Sequence, residues 1–191
     1  MSRPELVIIS GPPGAGKTSL AGPLARRLGY ALLEKDAIKE RLADAFGPSA
    51  PCHSRALGQE AILLLCDNAR ELLRQDQALV IESTFYRGTA EPDLNSLIAL
   101  SNAVLVHVTA DDEILVSRYE RRAHSRDRHP VHNGIERVVE LRANIASGAT
   151  RPPVVDIPTL EVDTTYGPLD VEEIAFMISE LRESNDPVQE T

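Results

Sequence analysis

An α/β domain built on a mostly parallel sheet is what this sequence predicts, on three observations. Short apolar runs rich in β-branched residues alternate along the chain with longer stretches whose apolar residues recur at helical spacing. The first such run, Glu5-Leu-Val-Ile-Ile-Ser10, is apolar without alternation, as a strand covered on both faces should be. A length of 191 residues gives one domain enough interior to cover such a sheet and is short for two.

Each element follows from its local pattern. The strand at 5–10 stops at a Gly/Pro-rich turn, and from Lys17 to Leu28 the apolar positions trace a helix that ends near Gly29. Further strands are predicted at Ala31–Glu34, Ala78–Glu82, Ala103–Thr109 and Leu160–Asp163, separated by helices at about 36–46, 54–75, 90–100, 111–125, 134–147 and 168–184. Strands that alternate with helices pair in parallel, because each helix carries the chain back across a face of the sheet. The sequence has no repeat, low-complexity tract or linker, so residues 1–191 read as a single domain with a frayed tail over Asn185–Thr191.

Composition removes several classes. With 42% hydrophobic and 26% charged residues, neither a disordered nor a fibrous chain fits. The longest apolar runs, such as Ala61–Cys66, fall far short of the roughly 18 residues a membrane helix needs, and residues 1–9 lack a signal-peptide pattern, so a cytoplasmic protein is expected. Cys52 and Cys66 have no metal-binding spacing; Cys66, in an apolar run, reads as a packed thiol. The net charge of −9 is uneven: residues 1–151 hold 19 basic and 19 acidic side chains, whereas 152–191 hold ten acids against Arg182. The acidity therefore says little about any site elsewhere.

The turn after the first strand carries the chemistry. Gly11-Pro-Pro-Gly-Ala-Gly-Lys17-Thr18 matches the phosphate-binding loop G-x-x-x-x-G-K-[ST] in its required context, after a strand and opening a helix. Glycines let backbone N–H groups converge on phosphates, the helix N-terminus adds partial positive charge, Lys17 reaches the β- and γ-phosphates, and the Thr18 hydroxyl can ligate Mg2+. Gly11, Pro13, Gly14, Ala15, Gly16, Lys17, Thr18 and Ser19 are accordingly the candidate ATP-binding residues. A Gly-rich turn that merely caps a helix is the competing reading, and the strand–loop–helix context weighs against it. The motif refines the fold class to a P-loop NTPase, a three-layer α/β/α sandwich on five mostly parallel strands. It does not name a reaction. The chain lacks room for an ATPase lid domain and lacks an N-K-x-D base-recognition pattern, which leaves the small kinases in front.

Five segments in order, Gly11–Thr18, Glu34-Lys-Asp36-Ala-Ile-Lys-Glu-Arg-Leu42, Val80-Ile-Glu-Ser-Thr84, the arginine segment 118–128 and Leu160-Glu-Val-Asp-Thr-Thr165, resemble the small P-loop kinases. That group includes chloramphenicol phosphotransferase, the kinase domain of polynucleotide 5′-kinase and the zeta-toxin kinases. The resemblance implies that Asp36 is the general base that takes the proton of the accepting hydroxyl; local pattern alone allows equally a helix N-cap. It implies that Glu82 contacts substrate or Mg2+-bound water, against a strand-end acid satisfied by a neighbour. Thr84 and Arg87 in the same loop, and His53, Arg55 and Gln59 near the entrance, are the further acceptor-binding candidates. Lys35 and Lys39 read as lying on a solvated face.

Arg118, Arg121, Arg122, Arg126 and Arg128 fall within eleven residues that hold two acids, and Arg118, Arg122 and Arg126 recur every four residues. The resemblance makes this an Arg-rich helical lid, about 118–133, with Arg118 and Arg122 on the nucleotide and Arg122, Arg126 and Arg128 stabilising the transferring group. A solvated basic helix face is the alternative. His124, His129 and His132 read as polar loop residues, Arg151 and Asp163–Thr165 as candidates beside adenine, and the acidic helix 168–184 as surface. The expected activity is ATP- and Mg2+-dependent transfer of a phosphoryl group to a hydroxyl of a small metabolite, antibiotic or nucleoside-like molecule. A polynucleotide 5′-hydroxyl and a nucleotide sugar are the next acceptors, and a slowly hydrolysing ATP-binding switch is the alternative of another class.

Overall fold

The computed structural model describes residues 3–47, 54–123, 129–132, 136–167 and 169–185. Among them the order of elements is β1 (Glu5–Ser10), α1 (Lys17–Leu28), β2 (Ala31–Glu34), α2 (Lys35–Phe46), α3 (Ser54–Arg74), β3 (Leu79–Glu82), α4 (Glu91–Ile98), β4 (Asn102–Thr109), α5 (Asp112–Ala123), a one-turn 3-10 segment at Pro130–His132, α6 (Glu136–Ala146), β5 (Thr159–Asp163) and α7 (Val171–Asn185). The strands form a five-stranded sheet in the order β2-β3-β1-β4-β5. All four neighbouring pairs are parallel.

The sheet is covered on both faces because its central strands are apolar on both. Val7, Ile9, Val80, Val104 and Val106 pack toward α1 and α7, while Leu6, Ile8, Leu79, Ile81 and Leu105 pack toward α3 and α4. Leu6 to Ile9 are fully buried, which at about 1.5–3 kcal/mol per large apolar side chain anchors β1 firmly in the core. α7 is a surface helix, as expected, with one covered stripe. Ile174, Ala175 and Ile178 recur at helical spacing, and they are buried in the same core as Leu20 and Leu24 of α1; its acids occupy the opposite face. Cys66 is packed as expected, and burial pushes its thiol up to about 12.

Parallel strands bring all their carboxyl ends to one edge, and β1 sits in the middle of that edge with β3 on one side and β4 on the other. Ser83 N–H bonds the Ile9 carbonyl, and Ser10 Oγ donates to the Thr84 carbonyl at 2.9 Å, so the loops leaving β1 and β3 are tied together. Gly11 passes so close to β4 that a Cβ there would meet the Val108 carbonyl oxygen at 2.0 Å, with φ at +140°. At Gly16, where α1 begins with φ +98°, a Cβ would meet nothing within 4 Å. Among the described residues no helix is long and apolar enough to cross a membrane.

Two predictions follow from this edge. Gly16→Ala meets only left-handed backbone strain, about 1–2 kcal/mol, whereas Gly11→Ala must also displace β4 backbone, so its urea midpoint should fall further. Equal midpoints would contradict the close approach. His107, buried in β4 near Lys17 and Arg87, is held down to about 4 from an ordinary 6.5, chiefly by burial. Between those values the unfolded chain binds a proton the folded ring refuses. Stability is therefore full above about pH 6.5 and falls as pH drops toward 4, by at most about 3 kcal/mol. His107→Gln should flatten that slope in urea titrations at pH 7.5 and 5, and an unchanged slope would contradict it.

Candidate active site

A cavity of about 1140 Å³ opens at the carboxyl edge of the sheet, walled on one side by residues 13–19 of the phosphate loop. Gly16 adopts the left-handed conformation that turns the loop into α1, so the first amides of that helix face the cavity entrance. Gly11 lies beneath this wall, against Val108. Lys17 is 8% exposed; its Nζ donates to the Pro12 carbonyl at 3.0 Å and stands 3.9 Å from Glu82. Burial pulls the Lys17 ammonium below the ordinary lysine value, opposed by Glu82 and then Asp36. Glu82, 5% exposed at the end of β3, is pushed up by the same burial and held back by Lys17. The neighbour that satisfies this strand-end acid is thus the loop lysine, which ties its state to whatever occupies the loop.

Asp36 follows β2 and lines the same cavity, 3.6 Å from the Lys35 ammonium. α2 begins at Lys35 with Glu34 in the capping position and no side-chain cap bond, so Asp36 lies in the first turn and does not cap. Burial raises its carboxyl, but Lys35, His132, Lys17 and Lys39 together hold it below the ordinary aspartate value. The carboxylate is therefore ionised at neutral pH and aimed into the space in front of the loop. Lys35, expected on a solvated face, is on the cavity wall because the helix starts one residue earlier than the pattern placed it.

Lys39 is a larger departure. It is fully buried, sharing a stripe of α2 with Ala43, and its Nζ donates to Ser54 Oγ at 2.7 Å and to the Val131 carbonyl at 3.3 Å. Ser54 Oγ in turn donates to the Val131 carbonyl at 2.6 Å. His132, read from sequence as a loop residue, is buried on the cavity wall with Nε2 2.8 Å from Glu40; burial lowers its pKa against the pull of Asp36 and Glu40. His129 lies 3.1 Å from Asp44. These contacts fasten the Pro130–His132 turn onto α2, the helix that carries Asp36.

The arginines divide. Arg118 and Arg122 line the cavity together with Arg121. Arg118 donates to Thr164 Oγ1 and to the Thr164 carbonyl, both at 2.7 Å, and Thr164 Oγ1 is 3.0 Å from the carbonyls of Ala15 and Thr109. The base of α5 is thereby locked to the phosphate loop through the residue after β5. Arg126, Arg128 and His53 lie outside the described residues.

Thr84, Arg55 and Gln59 line the cavity. Arg87 does not: its Nε donates to the Pro152 carbonyl at 2.7 Å, because the loop after β3 packs on the 148–152 turn. Arg151 lies against Gly148 in that turn and is off the wall as well. The pattern reading passed over Tyr86, Arg137 and Glu140, which reach the cavity from the β3 loop and α6. No motif marks them, since only the packing of α6 on α5 brings that helix to the site.

The donor set suits a nucleoside triphosphate: a buried ammonium, a helix N-terminus and cavity arginines face the space where phosphates would sit. Among the described residues no group of three His, Cys, Asp or Glu could hold a metal alone. Thr18, in the first turn of α1 and on the cavity wall, is the residue that could hold a Mg2+ there.

Residues 6–146 match the AAA_33 family of AAA domains. A protein from Chloroflexus aurantiacus J-10-fl assigned as a kinase is 31% identical, with a TM-score of 0.83 and coverage of 94% of this chain and 99% of that one. Shikimate kinase from Acinetobacter baumannii in complex with shikimate shares 18% identity at a TM-score of 0.53, covering 96% and 95% of the two chains. A gluconokinase from Sinorhizobium meliloti 1021 shares 16% at 0.58, covering 96% and 97%. These last two likenesses are of fold. No curated protein matches the sequence. By the match over 6–146 and by its strand order and loop, the chain belongs to the AAA_33 family of AAA domains and has the fold of the small P-loop kinases.

Proposed function

We propose that the protein is an ATP- and Mg2+-dependent phosphotransferase that moves the γ-phosphoryl group to a hydroxyl of a small molecule. The observation that carries this reading is the presence of Lys17 and an ionised Asp36 in one cavity, close enough that each shifts the other's protonation. A switch that only binds and hydrolyses nucleotide has no need of such a carboxylate. The kinase neighbours, including enzymes named for shikimate and gluconate, support a small acceptor.

In this reading the loop amides and Lys17 hold the β- and γ-phosphates, and Arg118 and Arg122 stand beside them. Thr18 and, through water, Glu82 or Asp36 would hold Mg2+, which when bound would supply positive charge against the transferring phosphoryl group. The acceptor enters between α2, α3 and the loop after Glu82. Its oxygen forms the new P–O bond as the bond to the β-phosphate oxygen breaks, ADP leaves, and the hydroxyl proton passes to Asp36 and then to water. Glu82 relinquishes Lys17 to the phosphates when the nucleotide binds. The arginines of 126 and 128 belong to the same proposal as lid groups that close on the transferring phosphoryl.

Two variants test the assignment. Lys17→Ala should abolish transfer and weaken ATP by about 10- to 100-fold, the worth of a charge-assisted contact, while AMP affinity changes little. Equal loss for both nucleotides would contradict it. Asp36→Asn removes proton acceptance and leaves size intact, so ATP affinity and melting temperature should hold while transfer falls about 10²- to 10⁴-fold, about 2.7–5.4 kcal/mol of barrier. A variant with wild-type transfer would remove Asp36 from the chemistry.

A further inference from the structure

Arg137, on the cavity wall, is not among the residues proposed above to hold or transfer the phosphoryl group. It is in the first turn of α6, half-buried, and lines the cavity beside the start of α3. Its Nη2 donates to Ser54 Oγ at 3.0 Å, and that hydroxyl is already fixed between Lys39 and the Val131 carbonyl. Among the described residues no carboxylate stands within ion-pair distance of it. Glu140, one turn along the same helix, faces Arg55 at 3.8 Å, and Asp36 faces Lys35 at 3.6 Å.

Among the described residues Ser54 is the hydrogen-bond partner of this guanidinium, and a cation half removed from water gains from an anion that a ligand brings. Arginine keeps its charge at any working pH, and its planar fork meets a carboxylate or phosphate edge through two parallel hydrogen bonds. With one of its five N–H groups on Ser54, the rest of the fork is available to such a group. Ile62, Phe85 and Tyr86 give the cavity apolar surface suited to a short carbon skeleton. All of this lies in a chain whose net charge is −9, so the positive wall is a local feature and not a reflection of the whole surface.

We propose that the acceptor is an anionic hydroxy compound whose carboxylate or phosphate ester docks on Arg137 while its hydroxyl lies at Asp36. The inference rests on the phosphotransferase reading and narrows it to a substrate class. Arg137 then selects the acceptor and has no effect on the nucleotide.

The test is phosphoryl transfer from γ-labelled ATP to matched pairs that differ in the anion: gluconate with glucitol, glycerate with glycerol, glucose 6-phosphate with glucose, glycerol 3-phosphate with glycerol. The anionic member of at least one pair should be preferred about 10- to 100-fold in kcat/KM, and the carboxylate and ester arms tell which anion is read. In Arg137→Gln that preference should collapse through the acceptor KM while the ATP affinity holds; Arg137→Lys, which keeps charge and loses the fork, should fall between. A residue that only ties α6 to α3 would lower stability without changing the preference. A neutral member taken as well as its anionic partner, or a preference that survives in both variants, overturns the inference and leaves the kinase reading standing. Label appearing only as inorganic phosphate with every compound overturns both.

Discussion

Lys17 is held almost out of water at the carboxyl end of the central strand, and an ammonium so placed must be answered by oxygen. The Pro12 carbonyl and the Glu82 carboxylate do so in this structure. Much of the surrounding architecture serves that arrangement. The parallel sheet sets the ends of β1 and β3 side by side, pairing Ile9 with Glu82, and so delivers the acid to the lysine. The close pass of Gly11 over Val108 fixes where the loop departs, and Thr164, joined to Ala15 and to Arg118, fixes where it meets α5. In the proposed reading an incoming triphosphate would replace the carbonyl and carboxylate with stronger partners, and so convert an unfavourable burial into binding.

The second half of the cavity is organised from α2. Asp36, Lys39 and Ala43 follow one another at helical spacing, so the face that presents the carboxylate to the cavity continues into the buried contact with Ser54 and Val131. Glu40 and Asp44 reach the 3-10 turn through His132 and His129. The position of Asp36 is thereby tied to the turn that follows the arginine segment. The phosphate-loop side of the cavity is thus tied to α5, and the opposite side is built from α2, α3 and α6.

What the sequence made legible and what it hid divide along physical lines. Strand and helix periodicity is local, and every strand and helix was readable within a residue or a few; the phosphate loop was readable because its chemistry needs fixed residues at fixed spacing. Lys39 was misread because lysine is almost never fully buried, and only the packing of α2 against α3 and the 130–132 turn makes an interior for it; Lys35, partly exposed, stands on the cavity wall. Arg87 was placed at the site by its loop, yet the 148–152 turn, distant in sequence, claims its guanidinium. Arg137 and Tyr86 carry no motif, since only tertiary packing brings them to the cavity wall.

The central claim is that Asp36 and the phosphate loop together serve transfer to an organic hydroxyl. The most direct measurement is the fate of the γ-phosphoryl group when the enzyme, Mg2+ and γ-labelled ATP meet a small-molecule cell extract, with products separated into organic phosphate esters and inorganic phosphate. The account predicts label in an organic ester, formed by the wild type and lost in Asp36→Asn. Label found only in inorganic phosphate, at a rate indifferent to the extract and to Asp36, would contradict it.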